Sequence, residues 1–318
     1  MSDSALTPQY SARSESLLDK QQNLVIQTRI RQSIWKIAFA TLLLMAVGSA
    51  TRVMNAGLAC PDWPLCYGQL VPTQQMNLQV FLEWFHRLDA ALIGLSTLFL
   101  AGSTWWFRRQ LPYWLPWATT FALSLILVQG ALGAFTVTEL LRFDIVTAHL
   151  GTALLFFMTL LSIGTYLLPA PPTLSTATTP LLPLTAAIFV YMQSILGGLV
   201  GSKWALHQCF GNSECTVMNS HLIGVVPATL SCVAVIIAIW RNQDSPKYCR
   251  SLANLTGGLL LAQILLGVAT YKLHLQVEPL TVAHQSIGAI LLGTLVVTTG
   301  LLWRIKDSRS IDQIGDPV

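Results

Sequence analysis

Eight apolar stretches of about 20 residues recur along the chain, near 34–53, 86–107, 114–137, 146–168, 181–201, 221–240, 252–271 and 281–303. As an α-helix, a run of that length crosses the hydrocarbon of a bilayer, where every backbone polar group has to be satisfied inside its own helix or a closed barrel. Only 10% of the 318 residues are charged while 53% are hydrophobic, and a soluble domain usually carries about 25% charged residues. The expected fold class is an all-α integral membrane protein with eight transmembrane helices in the lipid bilayer. The net charge of +4 says less than its placement, and nothing in it points to nucleic acid. Residues 1–33 are polar, lack the apolar core of a cleavable signal, and read as a cytoplasmic tail before an uncleaved first span.

Placement of Lys and Arg sets the orientation. With the N-terminus inside, 13 of the 18 basic residues fall on the inner side, among them Arg29, Arg31, Arg108, Arg109, Arg241 and Arg304. The outer side and outer helix edges hold Arg52, Arg87, Arg142, Lys203 and Lys272. Both termini are then cytoplasmic, with a second inner tail at 304–318. The linker 169–180, "PAPPTLSTATTP", has no charge and divides the spans into two sets of four, 34–168 and 181–303.

The two sets look duplicated. Each places a C-x5-C pair in its first outer loop, Cys60/Cys66 and Cys209/Cys215, and every even span opens at the outer face near a histidine: His86, His149, His221 and His284. His149 follows His86 by 63 residues, and His284 follows His221 by the same interval. Spans 3, 5 and 7 share Q-x-x-L-G, at Gln129–Gly133, Gln193–Gly197 and Gln263–Gly267. Four spans return the chain to its starting side, so the halves are parallel repeats forming two tandem pseudo-symmetric four-helix bundles.

Ionisable groups in a membrane are costly and tend to be functional. Four histidines at equivalent helix positions suit axial ligation of haem iron within two bundles. No carboxylate cluster accompanies them, as a non-haem di-iron site would require. The glycines of the odd spans (Gly130, Gly133, Gly197, Gly198, Gly201, Gly267) fit either close approach of a flat macrocycle or close helix packing. The glutamines read as interhelical hydrogen-bonders or haem contacts. The halves are not identical: Glu83 lies three residues before His86, on the same helical face, whereas Met218 stands before His221. A carboxylate beside one ligand position suggests chemistry in the first half; the plainer alternative is an interfacial glutamate paired with Arg87. The outer cysteines favour disulfides over zinc, because the first pair has no flanking histidine, while a redox role for them stays open. His207 and His274 read as surface residues, Cys232 and Cys249 as free thiols.

The stretches "GLACPDWPLCYG", "EWFHRLDAALIG", "AHLGTALL", the second C-x5-C and "AHQSIGAILLG" together resemble the haem A synthase family over about residues 35–303. The resemblance implies an oxidoreductase of the bacterial cytoplasmic membrane that converts the C8 methyl of haem O to a formyl group, giving haem A for cytochrome oxidase. It implies that His86 and His149 hold the substrate haem O, that Glu83 is the catalytic carboxylate, and that His221 and His284 ligate a resident haem b. It also implies disulfides Cys60–Cys66 and Cys209–Cys215. A haem O synthase in the same membrane is the candidate partner; the electron donor is unknown and a homo-oligomer stays open. The competing classes are a dihaem b-type electron-transfer protein and a haem carrier without chemistry.

Overall fold

The computed structural model describes residues 7–169, 178–201, 215–273 and 276–315, with side chains described between 20 and 306. Cys209, His207 and His274 lie outside the described residues, as does most of the 169–180 linker. Apart from an isolated bridge between Cys66 and Gln69, the regular structure described is helical. The helices are α1 (Thr7–Val53), α2 (Leu78–Trp106), α3 (Leu115–Thr138), α4 (Phe143–Tyr166), α5 (Leu181–Val200), α6 (Thr216–Arg241), α7 (Lys247–Lys272) and α8 (Glu278–Gly315). All eight contain a segment long and apolar enough to cross a bilayer.

Local chemistry explains where these helices stop and start. Asn77 caps α2 by accepting the Val80 N–H at 3.0 Å, satisfying one of the free donors of a first turn. Proline at position 116 enters the first turn of α3, where its missing N–H costs nothing. Helix α1 ends on Asn55 at φ 55°, and the Ala56 N–H returns to the Thr51 carbonyl at 2.8 Å, a Schellman-type closure. Helix α3 ends similarly, Leu141 N–H to Thr136 carbonyl at 2.8 Å, but with Leu140 and Leu141 both at positive φ. That conformation disfavours a branched side chain. Tertiary packing holds it here, since Leu141 lies over Gly57, whose absent Cβ would stand 3.1 Å from Leu141 Cδ2.

Two expected boundaries move. Helix α1 runs back through residues read as a tail, to Thr7. Helix α2 starts at Leu78, eight residues before His86, so this histidine sits roughly 12 Å along the helix at 1.5 Å per residue. Polar Gln79 and Glu83 lower the local hydropathy and hid that first turn, although the Asn77 cap signal was present.

Helices α1–α4 close into a ring of neighbours (α1 on α2, α2 on α3, α3 on α4, α4 on α1), and α5–α8 close in the same order. The rings share a seam in which α8 touches α1 and α4, and α4 touches α5. Helix α8 is accordingly the most enclosed span and α3 the least. Small residues line the seam, as expected where apolar helices gain by close approach. Gly293 lies against Leu161 and Phe157, Gly198 against Leu150, and Gly300 against Thr165. At one end of it Arg52 of α1 donates to Gln285 Oε1 at 3.0 Å and to the Gly198 carbonyl at 3.4 Å. At the opposite end Arg31 and Arg304, one from each half, donate to the carbonyls of Leu167 and Leu168 at the end of α4.

Candidate functional site

The four histidines are half-buried, and each fits against a glycine on the preceding helix. A Cβ on Gly48 would stand 2.8 Å from His86 Cε1; on Gly133, 3.3 Å from His149 Cε1; on Gly197 and Gly267, 3.0 Å from the Cε1 atoms of His221 and His284. The helix pair, glycine on the odd member and histidine on the even one, therefore occurs four times. Glycine at these positions makes room for an imidazole of the neighbouring helix, which is the close helix packing expected of Gly133, Gly197 and Gly267. Gly198 and Gly201 instead meet Leu150 and Arg52, and Gly130 faces open space.

The glutamines four residues before three of these glycines reach the same rings. Gln129 Nε2 lies 3.3 Å from His149 Nε2, Gln193 Nε2 lies 3.1 Å from His221 Nδ1, and Gln263 Nε2 lies 3.4 Å from His284 Nε2. Their reading as interhelical hydrogen-bonders agrees with these contacts. On α1 the corresponding residue is Leu44, so the first helix carries the glycine of the motif without its glutamine. Gly48 went unnoticed in the sequence for that reason.

Within each half the two histidines converge. The His86 and His149 rings are 6.5 Å apart between centroids and inclined at 71°, and His221 lies close enough to His284 for their charges to interact. The Nδ1 atoms of His86, His149 and His284 are buried without a hydrogen-bond partner, an arrangement that costs free energy unless something else occupies the nitrogen. Among the described residues no group of three or more His, Cys, Asp or Glu could hold an ion. The imidazoles come in pairs, a donor set chemically suited to a haem iron.

Glu83 is 4% exposed and both of its oxygens are engaged. Oε2 accepts the Cys60 N–H at 2.8 Å, and Oε1 pairs with Arg87 Nη2 at 2.5 Å. Arg87 also donates to the carbonyls of Asp62 and Leu65, each at 2.6 Å. The Glu83–Arg87 pair thus clamps the CPDWPLC loop onto α2, one helical turn from His86. Cys60 and Cys66 are disulfide-bonded and buried with Val80. Asp62 closes the loop by accepting the N–H groups of Tyr67 at 2.6 Å and Gly68 at 2.7 Å. These bonds, Gly68 foremost, hold its carboxyl below the ordinary aspartate range. Cys215, also disulfide-bonded, accepts the Met218 N–H at the start of α6. The second half has Met218 and Leu222 where the first has Glu83 and Arg87, so it lacks both members of the clamp. Cys232 and Cys249 are buried free thiols.

The COX15-CtaA family model, described as cytochrome oxidase assembly protein, matches residues 31–296. The chain belongs to this family. Full-length relatives of this COX15-CtaA protein include the haem A synthase of Shewanella oneidensis, 31% identical over 85% of this chain and 96% of that one. The haem A synthase of Caulobacter vibrioides is 24% identical over 86% of this chain and 96% of its own length. A shorter stretch, 31% of this chain, is 36% identical to 21% of a protohaem IX farnesyltransferase of Halobacterium salinarum. The paired histidines and the clamped loop belong to the part of the chain that carries the COX15-CtaA match.

Proposed function

We propose that this chain is a haem A synthase: a multi-pass membrane oxidoreductase that converts the C8 methyl of haem O to a formyl group. The names of its full-length relatives support the reaction class. The observation that carries it to these residues is the convergence of His86 and His149 one turn from the clamped Glu83. Imidazoles that ligate one metal from opposite sides, at about 2 Å per bond, put their ring centres roughly 6 Å apart, close to the 6.5 Å between His86 and His149.

Haem O is the substrate, held in the first half (34–168) by His86 and His149. The second half (181–303) fits a resident haem b, because His221 and His284 are half-buried, within electrostatic reach of each other and braced by Gln193 and Gln263. When bound there, haem b supplies one-electron transfer. Methyl to formyl is a four-electron oxidation: R–CH3 and one water become R–CHO with release of four protons and four electrons, which an external electron acceptor takes up. Two hydroxylations at the methyl carbon followed by loss of water from the geminal diol account for it. Positive charge that develops on that carbon is stabilised by the Glu83 carboxylate in a low-dielectric site. Arg87 and the Cys60 N–H fix where that carboxylate points, and the disulfide loop covers it.

The inner concentration of Arg and Lys supports cytoplasmic termini, with segments 1–33, 169–180 and 304–318 inside a bacterial cytoplasmic membrane. The histidines and the cysteine loops then lie toward the outer face, with Cys209–Cys215 as the second disulfide. The partial likeness to a protohaem IX farnesyltransferase supports an enzyme that makes haem O as the supplying partner.

The test is expression in a bacterial host that produces haem O but no haem A, followed by reverse-phase separation of extracted haem with mass detection. Haem A, or its hydroxylated precursor, is expected. Unchanged haem O from a folded protein carrying two haems would replace this reading with electron transfer or carriage.

A further inference from the structure

The fourfold Gly/His pattern is broken at one side chain. His149, His221 and His284 each have a glutamine amide within 3.1–3.4 Å of a ring nitrogen. The backbone of the residue one turn before the glycine also lies alongside the ring in all four cases: Leu44, Gln129, Gln193 and Gln263. The backbone arrangement is therefore shared, and only the side chain differs. His86 has Leu44, which is 8% exposed and packed in the core, and whose side chain has no polar atom to offer the ring.

A glutamine can donate through its amide NH2 or accept through its oxygen. Turned with its oxygen to the ring, it accepts the N–H of an imidazole whose other nitrogen binds metal and keeps that ring oriented; Gln193, whose NH2 also donates to the His221 carbonyl at 2.7 Å, holds both the ring and the backbone of that histidine. Such partners fix ligand orientation, and their loss typically weakens metal binding about 10- to 100-fold. In the second half both histidines are braced. In the first half His149 has such a side chain, and His86 has only the Leu44 backbone.

We infer that Leu44 makes the first-half site the exchangeable one, by leaving His86 as the single imidazole of the four without a side-chain brace. Leu44 is a positioning residue that acts through His86, and its effect is on release of the porphyrin. An enzyme whose substrate and product are both haems needs one site that lets go and one that does not, and the Leu44/Gln difference divides the halves accordingly. This rests on the haem reading above. It is independent of Glu83, which lies on α2 three residues before His86, whereas Leu44 is on α1.

The experiment uses the full chain, purified in detergent with its haems, and follows haem transfer to excess apomyoglobin by the Soret band. The parent is expected to lose haem in two phases, and His86→Ala is expected to lack the haem of the fast one. Leu44→Gln is expected to slow the fast phase about 10- to 100-fold and to shift the low-spin electron paramagnetic resonance signal of that site. Leu44→Met, of similar volume without a hydrogen-bonding group, is expected to change neither. Gln263→Leu, the reciprocal change, is expected to speed the slow phase. A His86→Ala protein that keeps both haems would overturn the ligand assignment itself. Intact ligation with a fast phase unmoved by Leu44→Gln would overturn the inference alone. Should Leu44→Gln fail to fold, a slow phase unmoved by Gln263→Leu has the same meaning.

Discussion

Replacing Glu83 by glutamine separates the two things this residue does. The volume is kept, and the amide oxygen still accepts the Cys60 N–H now bonded at 2.8 Å. What is lost is the negative charge facing Arg87, whose side chain is 16% exposed against 5% for Glu83. One charge-assisted hydrogen bond is worth about 1.5–3 kcal/mol. The loss should lie toward the low end, because Arg87 keeps the Asp62 and Leu65 carbonyls at 2.6 Å. That is a minor part of a domain stability of about 5–15 kcal/mol, so Glu83→Gln folds and binds haem. The chemical loss is larger: removing one preorganised group aimed at developing charge costs about 100- to 1,000-fold in kcat, roughly 3–4 kcal/mol. Haem A formed per bound haem, measured by mass-detected chromatography, should fall by that factor. Haem stoichiometry and the resistance of the 60–68 loop to protease should hold. Arg87→Met provides the contrast, since it frees the loop and leaves the carboxylate. Unchanged haem A output from Glu83→Gln would remove Glu83 from the mechanism. A greater loss from Arg87→Met than from Glu83→Gln would make loop anchoring the pair's main contribution.

Gly48→Ala and Gly267→Ala place a Cβ 2.8 Å and 3.0 Å from the Cε1 atoms of His86 and His284. Each should displace its ring and lower haem occupancy in its own half only, as read by haem quantification on the purified variants. Replacing Cys60 and Cys66 by serine opens a short loop with a sequence separation of 6, which chain-entropy reasoning values at about 2 kcal/mol. Because Arg87 still pins the loop, the variant should fold with a lower melting temperature, and outright loss of the folded protein would contradict the clamp. Asp62 has its folded pKa lowered by the Gly68 and Tyr67 N–H groups, so its contribution is present above the unfolded value of about 3.9 and is lost as pH falls through the folded one. Protease sensitivity of the loop should therefore stay flat from neutral pH down to about 4 and rise only below it, while Asp62→Asn should show the raised sensitivity already at neutral pH.

Much of the architecture was written in one dimension. Apolar runs of bilayer length leave a chain no alternative to spanning helices, because lipid cannot satisfy exposed backbone groups. The 63-residue histidine interval and the recurrent Q-x-x-L-G then exposed the duplication. The Glu83/Met218 difference distinguishes the halves in sequence alone. These are periodic or positional signals, and a sequence preserves them.

The contacts between helices were not legible in this way. Gly48 looks like any small residue until α1 and α2 pack and His86 fills the space above it. Leu44 becomes notable only because three other helices bring a glutamine to the same place. Arg87 could be read as a surface charge, yet folding turns it inward to gather the Asp62 and Leu65 carbonyls and the Glu83 carboxylate. Arg52, counted among the outer charges, instead crosses the seam to Gln285 and Gly198. Hydropathy reports the average preference of a segment for lipid. Which single atoms meet across a helix interface depends on rotation and register, and packing sets those only when all eight helices are assembled.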